Sequence, residues 1–150
     1  MSIPAAPLLL AFAGLLPFLW GVLTLYLPGL QEWTVQTIGP RFAGPYVSLF
    51  YGAVILSFMS GVLWGFATRL DARRAPLGYA LSVLPALWVF FTASGGVQSA
   101  GLSLVAGFAG ILALDWYFWR QGAAPEWWMR LRLMISAVVI LSLLITVLRG

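Results

Sequence analysis

The chemistry open to this chain hangs on one acid. Asp115 lies well inside a long apolar run, about one helical turn from its end, while Glu32, Asp71 and Glu126 fall in polar connections. Three guanidinium groups, those of Arg69, Arg130 and Arg132, are expected at a similar depth. A carboxylate and a guanidinium can form a charge-assisted, forked pair. An ionisable residue inside a membrane segment is a candidate for function by default. Three readings of Asp115 stay open: an ion pair with one of those arginines, a hydrated acid near the interface, or a carboxylate that handles a proton or a ligand. Little other chemistry is available. The chain has no His, Lys or Cys, so a serine has no base to activate it. The usual haem, copper and zinc ligands are missing as well. No two acids share an apolar run, which argues against a two-carboxylate mechanism. The glycine-rich segments lie within apolar runs, so no phosphate-binding loop is implied. The expectation is a chain that is not an enzyme, with no catalytic, cofactor or metal residues.

The elements that must position Asp115 are long and apolar. The composition is 62% hydrophobic and 8% charged, against about half and a quarter for soluble domains. In lipid only helices and closed barrels satisfy every backbone group. A barrel would alternate apolar and polar residues, whereas residues 136–148 are apolar nearly all round. The sequence therefore predicts an all-α integral membrane protein, a five-transmembrane-helix bundle forming one domain over residues 1–150. The spans are expected at about 6–27, 46–68, 77–94, 99–118 and 131–148, each near the ~20 residues that cross ~30 Å of hydrocarbon. Pro17 should kink the first, and Pro85 falls near the middle of the third. Ala11-Phe12-Ala13 is similar to a cleavage site, but the apolar run before it is short and no basic residue precedes it, so an uncleaved helix is expected. Leu30, Trp33, Thr34, Thr37 and Ile38 recur at helical spacing, which suits a short interfacial helix over 30–38.

Five spans put Arg69, Arg73, Arg74, Arg120, Arg130 and Arg132 on one side and only Arg41 and Arg149 on the other. Cytoplasmic loops carry the basic excess, so the amino terminus is expected inside and the carboxyl terminus outside. The pI near 10.1 is then a topology signal, and no nucleic-acid partner is implied.

Small residues suggest how the helices meet. Ser57, Gly61 and Gly65 follow a small-xxx-small spacing, and Ser103, Gly107 and Gly110 form a matching stripe. Such residues let helix backbones approach closely in lipid. The second and fourth spans are therefore expected to touch through these faces, and leucine at Gly61 to cost roughly 1–3 kcal/mol by overpacking. Ser48 and Gly52 lie on the opposite face, so the second span is expected to have neighbours on both sides. The alternative use of the first stripe is a groove beside Gly61 and Trp64 for a lipid-like ligand. Asp115 lies about 140° round its helix from Gly110, on the side of Leu104, Phe108 and Ile111.

The segment Tyr51-Gly52-Ala53-Val54-Ile55-Leu56-Ser57-Phe58, followed by Gly61-Val62 and Trp64-Gly65, resembles the signature of the transmembrane protein 69-like family. Leu114-Asp115 and the stretch from Pro125 through Trp127 to Arg130-Leu131-Arg132-Leu133 are similar too. Leu63 departs from the His or Arg expected there in many members. The resemblance implies a small multi-pass protein of a bacterial or mitochondrial inner membrane, and it supplies no activity and no catalytic residues. Length and tryptophan content are also similar to the translocator family of porphyrin and sterol binders, whose Trp-Pro-Pro-type motifs are absent here. The expected function is a non-enzymatic accessory, assembly or scaffold component of a larger membrane complex. The alternative is a small carrier or sensor with an intramembrane pocket for a hydrophobic ligand. The expected partners are the lipid bilayer and a membrane protein; the sequence does not specify an oligomeric state.

Overall fold

A computed structural model describes residues 2–150, and the described residues hold helices and no strand. The helices are α1 (Ala5–Ala13), α2 (Leu16–Tyr26), α3 (Pro28–Thr37), α4 (Tyr46–Ala67), α5 (Ala75–Ser82), α6 (Leu84–Thr92), α7 (Val97–Arg120) and α8 (Trp128–Arg149). A single 3-10 turn, Pro40–Phe42, leads into α4. Five units are long and apolar enough to cross a membrane: α1–α2, α4, α5–α6, α7 and α8.

Proline causes the two interruptions. Pro17 has no N–H for the Ala13 carbonyl, and its ring crowds that group. The chain tightens there, with Leu15 N–H donating to Phe12 O at 3.0 Å. Pro85 acts in the same way between α5 and α6, and a serine from α4 repairs the damage. The Ser60 hydroxyl donates to Ser82 O and accepts from Ala86 N–H at 3.2 Å. It therefore sits between a carbonyl and the amide four residues on, a pair that an unbroken helix would join directly. At the far end of α7, Gly122 takes φ 74°. Gly122 and Ala123 N–H then donate to Trp119 O and Phe118 O, a left-handed glycine stop that turns the chain sharply into α8.

Loop contacts identify the two ends of the bundle. Arg69 Nη1 donates to Ala123 O at 3.1 Å and Arg74 Nη1 to Gln121 Oε1 at 2.7 Å, so the 68–74 and 121–127 connections share one end. At the other end Gly150 lies against Pro45 and Val97, and Arg149 stacks over Tyr26 at 4.5 Å. There the 38–45 connection is tied down by Trp20 Nε1 to Phe42 O (3.0 Å), Gln31 Nε2 to Gly44 O (2.9 Å) and Gly44 N–H to Thr24 Oγ1 (2.8 Å).

Helix α4 contacts every other spanning unit, and the α7–α8 contact is the most extensive. The core holds Phe18, Leu56, Leu63, Leu104, Phe108, Ile111, Phe118 and Leu143. Here the structure corrects the expected packing. Ser57, Gly61 and Gly65 are exposed, and a Cβ built at Gly61, Gly65 or Gly110 would meet nothing within 4 Å. The inward face of α4 is instead the one carrying Ser48, Gly52, Leu56 and Leu63. Spans two and four do touch, but through Gly52 against Leu104 and Gly107 against Leu56. Large side chains win the core because each fills more of the interhelical volume and makes more dispersion contacts than a glycine. Of the fourth-span stripe, Gly107 is partly buried beneath Leu56 and Trp88, and the Ser103 carbonyl accepts Trp88 Nε1 at 2.7 Å.

Candidate functional site

The buried face of α7 carries Leu104, Phe108, Ile111, Asp115 and Phe118. The chain then turns at Gly122 and returns as α8. Asp115 precedes the end of α7 by five residues and Arg132 follows the start of α8 by four. At 1.5 Å per residue both lie about 6–8 Å inside the hairpin. Position on α8 decides which arginine reaches the acid. Trp128, Arg132 and Ser136 are four residues apart and share a face, whereas Arg130 lies on the exposed side.

Asp115 is 0% exposed and Arg132 3%. Arg132 Nε donates to Asp115 Oδ2 at 2.8 Å, and Trp128 Nε1 donates to Asp115 Oδ1 at 2.9 Å. The guanidinium carbon stands 6.0 Å from the Trp128 ring centre, at the edge of cation–π range. Phe66 meets Trp128 edge-on at 5.0 Å between ring centroids, which holds the indole in place. The acid and the base cancel in charge, and each oxygen of the acid has a donor. The base is not fully used. Among the described residues three buried side-chain atoms have no hydrogen-bond partner: Ser48 Oγ, Arg132 Nη2 and Ser136 Oγ.

Arg132 and Ser136 line the same cavity, of about 240 Å³. Its other walls are apolar and include Leu10, Phe18, Ile55, Phe58 and Met59. Two further depressions are wide open. One, of about 580 Å³, runs between α6 and α7 and is lined by Pro85, Trp88, Phe91, Gly107 and Gly110 among others. The second, of about 660 Å³, lies beside Trp20, Leu23 and Phe42.

The remaining candidates lie apart from Asp115. Arg69 is exposed and spends Nη1 on the Ala123 carbonyl. Asp71, in the same connection, accepts from Arg73 and Arg74 N–H at 3.1 and 3.0 Å and from Arg74 Nε at 2.8 Å. The bonds from Arg74, backbone first and then side chain, hold the Asp71 carboxyl below the ordinary aspartate value. Ser57, Gly61 and Gly65 form an exposed strip on α4, whereas the acid is buried. Sequence reasoning did not assign Trp128 as a donor to the acid, and it passed over Ser136. The signal for both was the four-residue spacing from Trp128 to Arg132 to Ser136 on an otherwise apolar helix.

Comparison with known proteins agrees with this architecture. Transmembrane protein 69 of Xenopus tropicalis is 29% identical over 144 residues, which cover 93% of this chain and 53% of that protein. The chain thus spans about half the length of that relative. No solved structure matches it. A family model described as protein of unknown function (DUF3429) matches residues 3–148, and together with the likeness to transmembrane protein 69 it places this multi-pass membrane protein in that family.

Proposed function

We propose that the protein is a non-enzymatic accessory, assembly or scaffold component that docks against another membrane protein within the bilayer. The supporting observation is the outward strip of α4. Ser57, Gly61 and Gly65 are exposed, and open space lies over both glycines. Between helices in lipid there is no hydrophobic drive, so association depends on close van der Waals contact, which small residues permit. A strip of this kind left unused by the chain's own helices suits a partner helix. The test is mild extraction and native electrophoresis of the wild type and Gly61→Leu. The wild type should run in a larger assembly, and Gly61→Leu should fall out of it with an unchanged melting temperature. A wild type that runs alone, or an assembly indifferent to Gly61→Leu, refutes the proposal.

The proposed setting is a bacterial or mitochondrial inner membrane, with the arginine-rich end on the cytoplasmic or matrix side. Its support is the excess of basic residues at that end. A reporter active only in that compartment, fused after Gly150, should be silent; activity would invert the orientation. A second reading, a small carrier or sensor for a hydrophobic ligand, draws support from the cavity that Arg132 and Ser136 line.

A further inference from the structure

We infer that the cavity beside α8 is a binding site for an uncharged carbonyl compound, an acceptor oxygen on an apolar body, held by Arg132 Nη2 and Ser136 Oγ. The inference specifies the ligand of the carrier or sensor reading and rests on it. It is independent of the docking strip on α4.

The argument begins with unspent donors. A guanidinium offers five N–H groups in a fixed fork. Asp115 takes the one on Nε, and Nη2 has no partner although Arg132 is 3% exposed. One turn along, Ser136 is 1% exposed, and its hydroxyl has no partner either. Buried polar groups in folded proteins are almost always bonded. The two residues lie on adjacent turns of one helix and both line one cavity; Arg132 Nη2 and Ser136 Oγ are themselves closed off from solvent, so a ligand oxygen reaches these two donors once the lining side chains shift aside. The rest of the lining offers no comparable group: Leu10, Ile55, Phe58, Met59 and Phe108 present hydrocarbon and aromatic surface. A few convergent polar groups on apolar walls are the usual form of a small-molecule site.

Charge selects the class of ligand. Asp115 and Arg132 already sum to zero. A carboxylate or phosphate in the cavity would leave one net negative charge in a low-dielectric setting, which is costly. A carbonyl oxygen accepts both donors and adds no charge. Size sets the second limit. A cavity of about 240 Å³ is smaller than the ~300–1,000 Å³ that encloses a drug-sized molecule. It takes a ring system or one ester-bearing segment rather than a whole lipid. Leu10 and Phe58 line it and are 73% and 65% exposed, so the remainder of a longer ligand can leave past these side chains into the surrounding lipid. Two sources share this chemistry: a free apolar ketone or quinone, and the acyl ester of a lipid.

The test measures melting temperature against probe concentration for the full chain in dodecyl maltoside, a detergent with no carbonyl group. The probes are 2-methyl-1,4-naphthoquinone, dioctanoylglycerol and 2-methylnaphthalene, the last a hydrocarbon of the quinone's ring skeleton. A ligand that binds only the folded state raises the melting temperature with concentration. At least one carbonyl probe should bind about tenfold or more tightly than 2-methylnaphthalene. Ser136→Ala should weaken that probe about fivefold, the equivalent of one hydrogen bond, and Ser136→Thr should restore it. Preference for the quinone or for the glycerol ester identifies the source. Equal binding of all three probes, unaffected by Ser136→Ala, overturns the carbonyl assignment and leaves a plain apolar pocket. No stabilisation by any probe overturns both the assignment and the carrier or sensor reading.

Discussion

Replacing Asp115 with Asn and Arg132 with Met, singly and together, separates a buried ion pair from two independent side chains. Asp115→Asn keeps an oxygen for Trp128 Nε1 but leaves the guanidinium, 3% exposed, without a counter-charge. A guanidinium cannot shed its proton, so the loss should be about 3–5 kcal/mol at every working pH. Arg132→Met is different, because a stranded carboxyl can take up a proton. Taking up that proton costs free energy at pH 7, and each pH unit removed lowers the cost by about 1.4 kcal/mol, so the loss should shrink between pH 7 and pH 5. The double variant carries no charge and loses only hydrogen bonds. It should lose no more than either single variant, so the summed single losses should exceed its own by at least about 3 kcal/mol. The assay is equilibrium unfolding in dodecyl maltoside with increasing dodecyl sulfate, followed by tryptophan emission at pH 7 and pH 5, each variant referred to wild type at the same pH. Additive losses would refute the pair as a unit. A penalty for Arg132→Met that does not shrink between pH 7 and pH 5 would refute the proton-uptake reasoning.

Glycine substitutions read the packing directly. Gly61→Leu should change stability by no more than about 0.5 kcal/mol, since its Cβ meets open space, whereas Gly107→Leu, under Leu56 and Trp88, should cost about 1–3 kcal/mol; both can be measured in the same unfolding assay. Ser60→Ala strips the bridge across the α5–α6 break, leaves Ser82 O and Ala86 N–H without their shared hydroxyl, and should cost about 1–3 kcal/mol, with faster amide exchange at Ala86. Asp71 is held below the ordinary aspartate value, so its ties to Arg73 and Arg74 should be complete above that value and be lost as pH falls through the lowered one. A carboxyl-carbon NMR titration of Asp71 that ends at the ordinary value would contradict this.

The five spans are legible in the sequence because length and hydropathy suffice to locate them, and Pro17 and Pro85 mark the two interruptions through their missing N–H groups. The residues around 30–38 show helical spacing, and α3 forms at Pro28–Thr37. Rotation of the helices about their axes was less legible. Ser57, Gly61 and Gly65 have a spacing that serves an internal contact and an external one equally well. The bulky face of Leu56 and Leu63 carries the core, and nothing in residue type alone separates it from a lipid-facing surface of Val54 and Phe58. Arg130 and Arg132 illustrate the same difficulty. Two residues apart, they point about 200° away from one another, and only the docking of α7 against α8 decides between them. The Asp115 side was readable, since Leu104, Phe108 and Ile111 share its face. The cavity was not, because it depends on α1, α4 and α8 meeting together.

The hairpin of α7 and α8 also bears on how the chain is made. Asp115 leaves the ribosome 17 residues ahead of Arg132. Either charge alone costs a membrane-inserting helix up to about 2.5–3.5 kcal/mol at the bilayer centre, and less near its surface. Together they enter as a neutral unit, and the sharp turn at Gly122 brings them level as soon as the second strand of the hairpin has emerged. Nascent chains arrested before Arg132 should therefore be extracted from membranes by alkali more readily than chains that carry the whole hairpin. Until the arginine arrives, the acid-bearing helix is an incomplete insertion substrate, and the last two spans partition into the bilayer as a pair.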